Sequence, residues 1–293
     1  MKISKKSYAI VAGCYALWGV LPAYWNLLIG VNPLFVLCCR IVFTPLFTIG
    51  LLAVTGRLHV LLDTLRNKAT MRFLAPASIL ITFNWGLYIW AVNNGRILDS
   101  SLGYYMNPLV VFLLGTIIFK EKYVKLQLVA VAMALTGVLV SVIAYGSFPY
   151  VSICLAVSFS LYGVVKKKAR ADPVASITVE SMLMMPFALV AALVFMTDSI
   201  KAVNPTDFLL LLGGGVLTAL PLIMYSSSVN AIPLIIVGFF QYISPSLAMI
   251  YGLLSGEAMS APRIVSFVFI GLGLITFSIA LIRTSKAAEN RSL

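Results

Sequence analysis

The sequence predicts an all-α membrane protein with ten transmembrane helices arranged as two inverted five-helix repeats. Three observations lead to this prediction: an apolar composition, a succession of apolar segments of membrane-spanning length, and a set of residues that recurs at a nearly constant distance along the chain. Of the 293 residues, 61% are hydrophobic and 10% are charged, whereas about a quarter are charged in an ordinary soluble domain. We therefore expect the chain to lie in a lipid bilayer.

Ten apolar segments are long enough to be helices that cross the bilayer. A helix needs about 20 apolar residues to cross a hydrocarbon core of about 30 Å. The first segment is longer than the apolar core of a cleaved signal peptide and leads directly into the second, so we expect it to be retained. The predicted spans are residues 7–29, 33–55, 71–93, 100–119, 124–144, 147–165, 175–197, 207–229, 234–254 and 262–282.

Basic residues are distributed unevenly between the loops. If the N-terminus is cytoplasmic, seventeen Lys and Arg residues fall in inner loops and tails, and three, Arg96, Lys201 and Arg263, fall in outer loops. This bias follows the positive-inside rule, fits an even number of spans and predicts that both termini are cytoplasmic. We interpret the net charge of +12, including the run KKKAR at residues 166–170, as contact with acidic lipid headgroups rather than with nucleic acid.

The residues of a metal site or a hydrolytic enzyme do not occur in a suitable pattern. Four cysteines, Cys14, Cys38, Cys39 and Cys154, all fall inside predicted spans, and no Cys or His spacing resembles a metal site. The sequence has no H-E-x-x-H and no G-x-S-x-G motif. We therefore expect no metal, no cofactor and no enzymatic activity.

Two stretches of the chain repeat the same polar residues in the same order. WAVNNGRILDSSLGYYMNP ends at Pro108, and SSVNAIPLIIVGFFQYISP ends at Pro245. Ordered matches at a nearly constant spacing indicate two copies of one unit, here residues 1–145 and 146–293. The matched pairs are Tyr88 with Tyr225, Asn93 with Asn230, Tyr105 with Tyr242 and Pro108 with Pro245 at a spacing of 137, Pro33 with Pro173 at 140, and Gly137 with Gly273 at 136.

The repeat predicts a transporter because each copy contains an odd number of helices. Five helices return the chain to the opposite side, so the second copy enters the membrane inverted. The loop with Lys120, Lys122 and Lys125 is then inside, whereas its counterpart with Glu257 and Arg263 is outside. Inverted repeats are the architecture of many secondary transporters, in which the two halves exchange roles when the site changes sides.

The same residues resemble a known family. The segments YALWGVLPAYWNLL, NWGLYIWAVNN, SLGYYMNPLV and GFFQYISPSL are similar to the RarD branch of the drug/metabolite transporter superfamily, which is built from two EamA units. The resemblance implies a ten-helix permease of the bacterial inner membrane for a chloramphenicol-related drug or a metabolite. One departure concerns PLFVLCCR, where Phe35 and Cys39 stand in place of the Glu and His typical of relatives just ahead of the arginine, so a shared substrate is not implied.

Arg40 and Glu180 are the only charged residues well inside the predicted spans, and they are repeat equivalents at a spacing of 140. A charge at bilayer depth costs about 3 kcal/mol on insertion scales, so it normally faces the interior of the bundle and has a role. Arg40 is expected either to attract an anion or a polar ligand edge, or to clamp backbone carbonyls. Glu180 is expected either to carry a proton or, as the alternative, to extend to the inner interface or bind the inner lysine cluster. Inversion places them toward opposite faces, so we expect no direct pair.

Aromatic and amide side chains supply candidates for a cavity lining. Small-molecule pockets are mainly apolar and aromatic, with a few polar groups. The alternative roles are an interfacial aromatic belt and amides that bridge helices. Pro108 and Pro245 are expected to kink their helices. The substrate-binding or cavity-lining candidates are Trp18, Tyr24, Arg40, Asn84, Trp85, Tyr88, Tyr104, Tyr105, Asn107, Tyr225, Gln241 and Tyr242.

These features together predict a secondary transporter that moves a small amphipathic metabolite or drug, in the export direction and by alternating access. The expected partners are that substrate and membrane lipids, and a proton is the candidate coupling ion. A flippase for a lipid or lipid-linked substrate and a passive channel or facilitator remain alternatives at this point.

Overall fold

The computed structural model describes residues 4–254 and 260–290 of the chain. Lys2, Glu257 and Arg291, which enter the charge comparison, lie outside the described residues. The described part is helical and contains no strand. Its helices are α1 Lys5–Trp25, α2 Pro33–Val54, α3 Leu58–Arg66, α4 Lys68–Asn93, α5 Ile97–Phe119, α6 Lys125–Tyr145, α7 Tyr150–Ala169, α8 Pro173–Phe195, α9 Thr197–Ala202, α10 Pro205–Ala231, α11 Leu234–Phe240, α12 Ile243–Leu254 and α13 Ala261–Asn290.

Nine helices in the described residues are long and apolar enough to cross a membrane, and they are α1, α2, α4, α5, α6, α7, α8, α10 and α13. The chain is therefore a multi-pass membrane protein. The segment expected to form one continuous ninth span, residues 234–254, is instead divided into α11 and α12 at Gln241 and Tyr242. Pro245 explains the break, because its ring clashes with the carbonyl of the residue four positions earlier, which is Gln241. By contrast, α5 continues through Pro108 without interruption.

Three of the spanning helices begin with the same local signal. Asn32, Asp172 and Asn204 cap α2, α8 and α10, and each accepts hydrogen bonds from backbone N–H groups of the first turn. A proline follows each cap at the first helical position, where a missing N–H costs nothing and the fixed φ suits the helix. The sequence therefore sets these helix starts locally.

The helices α6 and α13 pack against each other through small residues. An added Cβ at Gly137 would lie 2.7 Å from the carbonyl oxygen of Ser266, and one at Gly273 would lie 2.9 Å from that of Ala130. Glycine therefore allows the two backbones to approach closely. The remaining spanning helices form the central bundle, in which α7 packs on α4 and α5, α2 packs on α8 and α10, and α1 packs on α10 and α12.

A buried carboxylate joins the ends of α5, α6 and α7. Asp99 is 0% exposed, and its Oδ2 accepts from Arg96 Nε at 2.7 Å and from the Tyr145 hydroxyl at 2.7 Å. Ser152 donates to the Asp99 carbonyl at 2.7 Å. Hydrogen bonds with Tyr150, Tyr145 and Asp99 raise the pKa of Arg96. Asp99 lies at the edge of a predicted span and was not among the candidate residues.

A second polar network fixes the start of the broken helix. The carboxylate of Glu121 accepts from the backbone N–H of Leu234 at 2.7 Å and of Ile235 at 2.9 Å. Lys167 Nζ lies 3.3 Å from the Glu121 carboxylate and donates to the Ile232 carbonyl at 2.7 Å. This network ties the ends of α5 and α7 to the first turn of α11.

Candidate functional site

The Arg40 side chain lies in the interior of the central bundle, between two indole rings. Its guanidinium carbon is 4.8 Å from the centroid of Trp25, at the end of α1, and 4.6 Å from that of Trp85, in α4. Arg40 Nε donates to the Thr218 hydroxyl of α10 at 2.8 Å, and that hydroxyl donates to the Gly214 carbonyl at 2.7 Å. Four helices therefore hold one cation in an aromatic cage.

Two tyrosine side chains complete this part of the bundle. Tyr88 of α4 and Tyr104 of α5 have ring centroids 5.7 Å apart, and both phenols lie within electrostatic range of the Arg40 guanidinium. Tyr104 keeps 39% of its surface accessible. We call Trp25, Arg40, Trp85, Tyr88 and Tyr104 the arginine cage.

Glu180 forms a buried ion pair with Lys166. Lys166 Nζ lies 2.6 Å from Glu180 Oε1 and 2.6 Å from the Ser176 hydroxyl, and the Tyr162 hydroxyl donates to Glu180 Oε2 at 3.0 Å. Lys166 is 2% exposed and Glu180 is 4% exposed. Ser176 in turn contacts the Ser226 hydroxyl at 3.2 Å. Both charges are therefore compensated by each other and by neutral hydroxyl groups.

The position of Lys166 corrects two expectations from the sequence. The run KKKAR was interpreted as an inner loop, but α7 extends to Ala169 and buries Lys166 between helices. Arg40 and Glu180 are consequently not the only charged residues inside the bundle. The physical reason is the pairing, since a lysine ammonium remains in a dry interior when a carboxylate lies within hydrogen-bonding distance. The Glu180 carboxylate pairs with Lys166 and not with Arg40.

Trp85 connects the two charged centres. Its ring contacts the Arg40 guanidinium on one side, and it also lines a narrow space between α2, α4, α8 and α10. Three polar side chains face that space: Thr82, Glu180 and Ser181. The arginine cage and the Glu180 carboxylate are therefore adjacent parts of one interior region.

The amide candidates bridge helices. Asn84 Nδ2 donates to the Leu155 carbonyl and to the Ser158 hydroxyl, both at 2.9 Å. Asn107 Nδ2 donates to the Ala156 carbonyl at 2.8 Å and to the Ser160 hydroxyl at 3.0 Å. These bonds tie α4 and α5 to α7, which is the alternative role considered for such residues.

The break between α11 and α12 lies in the bundle core. Gln241 is 4% exposed, and among the described residues its Oε1 has no hydrogen-bond partner. Tyr242 is 0% exposed and donates to the Tyr105 carbonyl at 3.2 Å. The Tyr105 ring contacts Phe267, with centroids 5.2 Å apart. The repeat-equivalent tyrosines Tyr105 and Tyr242 thus meet each other instead of facing an open cavity.

Trp18 and Tyr225 belong to a packed aromatic cluster rather than to the arginine cage. Tyr225 is 1% exposed and stacks on Tyr162 at 5.7 Å. Trp18 contacts Tyr225 and Phe159, in both cases with centroids 5.8 Å apart. Because Tyr162 also donates to Glu180, this cluster forms the wall behind the ion pair.

Tyr24 lies beside the cage but bonds to the backbone. Its hydroxyl donates to the Leu210 carbonyl at 2.6 Å, and its ring contacts Trp25 at 5.2 Å. Of the twelve predicted lining residues, the structure therefore brings Arg40, Trp85, Tyr88 and Tyr104 together and places Tyr24 next to them.

A crevice between α4 and α8 opens on the lateral surface of the bundle. Its lining is apolar except for the Ser78 side chain, and it includes Leu183 and Met184. Ile79 and Phe187 at its mouth are 60% and 70% exposed. Met184 also lines the narrow space beside Glu180, so this side chain lies between the lateral crevice and that space.

Sequence reasoning missed Trp25, Tyr162 and Lys166. A usable signal was present for the last two. Tyr162 and Lys166 are four residues apart on one helix, as are Ser176 and Glu180 on the next. Residues four apart share a helix face, so two polar faces on consecutive helices predict a paired site. Trp25 offered no such signal, because a tryptophan near a span end is typical of an interfacial belt.

A family model matches most of the chain. The model of the EamA-like transporter family matches residues 6–143 and 149–279. The chain belongs to the EamA-like transporter family. Within this family it is of the RarD type, because the relatives that carry that name are similar to it over nearly their whole length.

The similar EamA-like proteins include "Uncharacterized transporter YojE" of Bacillus subtilis, which is 38% identical over 98% of both chains. "Protein RarD" of Escherichia coli is 33% identical over 97% of this chain and 98% of that protein. "Chloramphenicol-sensitive protein RarD" of Pseudomonas aeruginosa is 29% identical over 94% of each. A solved crystal structure covers 92% of this chain at a TM-score of 0.73 and 17% identity, which shows a shared fold.

Proposed function

We propose that this protein is a secondary transporter that exports a small amphipathic metabolite or drug across the bacterial inner membrane by alternating access. The observation that carries the proposal is the arginine cage, in which one cation and four aromatic side chains come together inside a membrane-spanning bundle. Such a lining suits a small organic molecule. Membership of a transporter family and the name of the chloramphenicol-sensitive relative support a drug or metabolite as the substrate.

Two inverted halves, residues 1–145 and 146–293, are the proposed architecture, with α11 and α12 together forming the ninth of ten crossings and α13 the last. The two matches to the family model support this division. Helix contacts also support it, because α6 meets its own equivalent α13. The contact of Gly137 with Ser266 becomes the contact of Gly273 with Ala130 when the halves are exchanged at a spacing of 136.

In alternating access, two equivalent helix pairs differ in any one state, because one pair is closely packed while the other is open. The pairs α2–α10 and α4–α8 are equivalent in this way. An added Cβ at Gly215 of α10 would lie 2.6 Å from Phe43 Cβ of α2, so this pair is tightly closed. The repeat equivalents of Gly215 and Phe43 are Ser78 and Leu183, which instead line the lateral crevice. An exchange of closed and open pairs would move the site from one side to the other.

Proton coupling is proposed to use Glu180. The carboxylate lies next to the arginine cage, it faces the narrow interior space, and its ion pair with Lys166 can be rearranged by a proton. A carboxylate inside a transport protein is a typical member of a proton relay. Lys166 and Tyr162 would then hold the carboxylate in position between transport steps.

Both termini are proposed to face the cytoplasm of the cell, because most of the basic residues then fall on the inner side. Reporter fusions at the C-terminus test this orientation. We expect a cytoplasmic reporter to be active and a periplasmic reporter to be inactive, and the reverse pattern would contradict the orientation.

A flippase for a lipid or lipid-linked substrate is the second candidate, favoured by the crevice between α4 and α8. Its mouth at Ile79 and Phe187 faces the lipid side of the bundle, which would admit a molecule from the bilayer. The two functions are distinguished by what crosses the membrane: a transporter moves a water-soluble substrate, whereas a flippase moves a lipid. Within the described residues, no ring of charges of the kind that lines a channel is present, and we propose no enzymatic reaction.

Transport by purified protein in proteoliposomes tests the proposal. The probes are a library of amphipathic metabolites together with chloramphenicol, each measured with and without an imposed proton gradient. We expect saturable uptake that is stimulated by counterflow and absent from protein-free liposomes. Rapid non-saturable conductance would indicate a channel. Translocation of fluorescent lipid without any metabolite flux would indicate a flippase.

A further inference from the structure

Among the residues that the structure describes, the Arg40 guanidinium has no negatively charged partner. Its Nε donates to Thr218, but among the described residues its two terminal nitrogens have no hydrogen-bond partner, and no carboxylate lies within ion-pair distance. The charges around it are already used elsewhere, since Glu180 pairs with Lys166 and Asp99 with Arg96. The cage therefore leaves several N–H donors directed at no protein acceptor.

The arginine cage is suited to bind an anion that also has an apolar body. A guanidinium presents a planar set of donors that matches a carboxylate through two parallel hydrogen bonds. Tyr88 and Tyr104, whose ring centroids are 5.7 Å apart, lie near the same charge and supply hydroxyl groups that can donate as well as accept. The guanidinium carbon lies over the indoles of Trp25 and Trp85, and a contact with a ring uses none of the guanidinium donors on a conventional acceptor atom.

The number of charges at the cage limits the charge of the ligand. Arg40 is the one cation of the cage, and the next interior cation, Lys166, is neutralised by Glu180 at 2.6 Å. A single positive charge in a low-dielectric site compensates one negative charge, and a second would remain without a partner. A monocarboxylate therefore fits better than a phosphate ester with two negative charges.

We infer that the arginine cage binds the carboxylate of an amphipathic monocarboxylic acid, with the aromatic side chains packing on its apolar part. This inference rests on the proposed function, because it names the substrate class of the same site. It assigns Arg40 as the residue that selects acids over their neutral analogues. It also explains why the bundle retains a cation that has no counter-ion in the described part of the chain.

Ligand binding to the full-length protein in lipid nanodiscs tests this inference without requiring transport. The probes are benzoate, 3-phenylpropionate, octanoate and dodecanoate, each paired with its primary amide. Intrinsic tryptophan fluorescence reports binding, since Trp25 and Trp85 contact the guanidinium. We expect at least one acid to bind with a Kd lower than that of its amide by roughly tenfold or more, the size expected for charge-assisted hydrogen bonds.

Arg40→Gln should abolish the preference for acids, whereas the matched change Arg72→Gln, at an exposed arginine near the start of α4, should preserve it. Amides that bind as well as their acids in the unaltered protein would overturn the inference whatever the variants do. A preference for acids that survives Arg40→Gln would also overturn it.

The inference and the transport proposal fail in different ways. Acids that bind through Arg40 in a protein without saturable flux would uphold the inference and contradict transport. Saturable flux of a neutral or cationic compound, unchanged by Arg40→Gln and accompanied by no binding of acids, would uphold transport and overturn the inference.

Discussion

Replacing Glu180 by Gln should abolish proton-driven accumulation of substrate and also destabilise the protein. Gln imitates a permanently protonated carboxyl, so the proposed coupling step is lost. The change also leaves the ammonium of Lys166, which is 2% exposed, without its partner at 2.6 Å. Removing one member of a buried pair costs about 3–5 kcal/mol. Thermal unfolding in nanodiscs and proton-driven uptake in proteoliposomes measure the two effects.

The double variant Lys166→Met/Glu180→Gln separates the two effects. Neither charge remains, and Met preserves much of the lysine volume, so we expect most of the lost stability to return. Exchange of substrate across the membrane, which needs no net proton movement, should return with it, while accumulation should stay absent. Lys168→Met is the matched control, since this neighbouring lysine is exposed and should tolerate the change.

Accumulation with a normal pH dependence in the double variant would show that the carboxylate has a structural role only. The coupling site would then lie elsewhere, or the protein would be a facilitator. A double variant as unstable as Glu180→Gln would instead contradict the description of the two residues as one compensated pair.

Replacing Gly215 by Leu should separate α10 from α2 and remove transport. An added Cβ at this position would lie 2.6 Å from Phe43 Cβ and 2.8 Å from its carbonyl carbon, and a backbone atom cannot move away as a side chain can. Overpacking of this kind costs about 1–3 kcal/mol or more. Displacement of α10 would also move Thr218 away from Arg40. The hydrogen bond that Arg40 Nε donates to the Thr218 hydroxyl at 2.8 Å would then be lost. Thermal stability and uptake are the measurements.

Gly50→Leu provides the control for this prediction. Gly50 lies on α2 as well, but no heavy atom lies within 4 Å of an added Cβ there and the position is exposed. We expect unchanged uptake and equal or higher stability, because leucine favours helix more than glycine does. If Gly215→Leu behaves like Gly50→Leu, the close contact between α2 and α10 is not a feature of the dominant state.

The sequence predicted the helices well because helix length and helix start depend on the bilayer and on neighbouring residues in the chain, and not on contacts between helices. The bilayer sets the length of a crossing segment, and an Asn or Asp followed by Pro sets the start of α2, α8 and α10. The break near Gln241 was also contained in the sequence, since Pro245 acts four residues away. The expectation was of a kink, but the structure interrupts the helix.

The candidate site was predicted only in part because its members meet across helices. Arg40, Trp85, Tyr88 and Tyr104 were selected for their chemistry, and the structure brings these four together. Asn84, Asn107, Tyr225 and Tyr242 have the same chemistry, but they lie at buried contacts between helices. Residue type and depth do not distinguish a side chain that faces a cavity from one that faces a neighbouring helix.

The sequence by itself determined that this is a multi-pass helical membrane protein of the EamA-like family, because hydropathy, helix caps and motif order are properties of the chain alone. Only the tertiary structure decided that Lys166 is an interior residue paired with Glu180, and that Arg40 is enclosed by Trp25 and Trp85 with no counter-ion in the segments that the structure describes. The physical reason is that burial of a charge depends on the rotation and depth of neighbouring helices. A few residues of helical register decide whether a lysine faces lipid headgroups or a carboxylate.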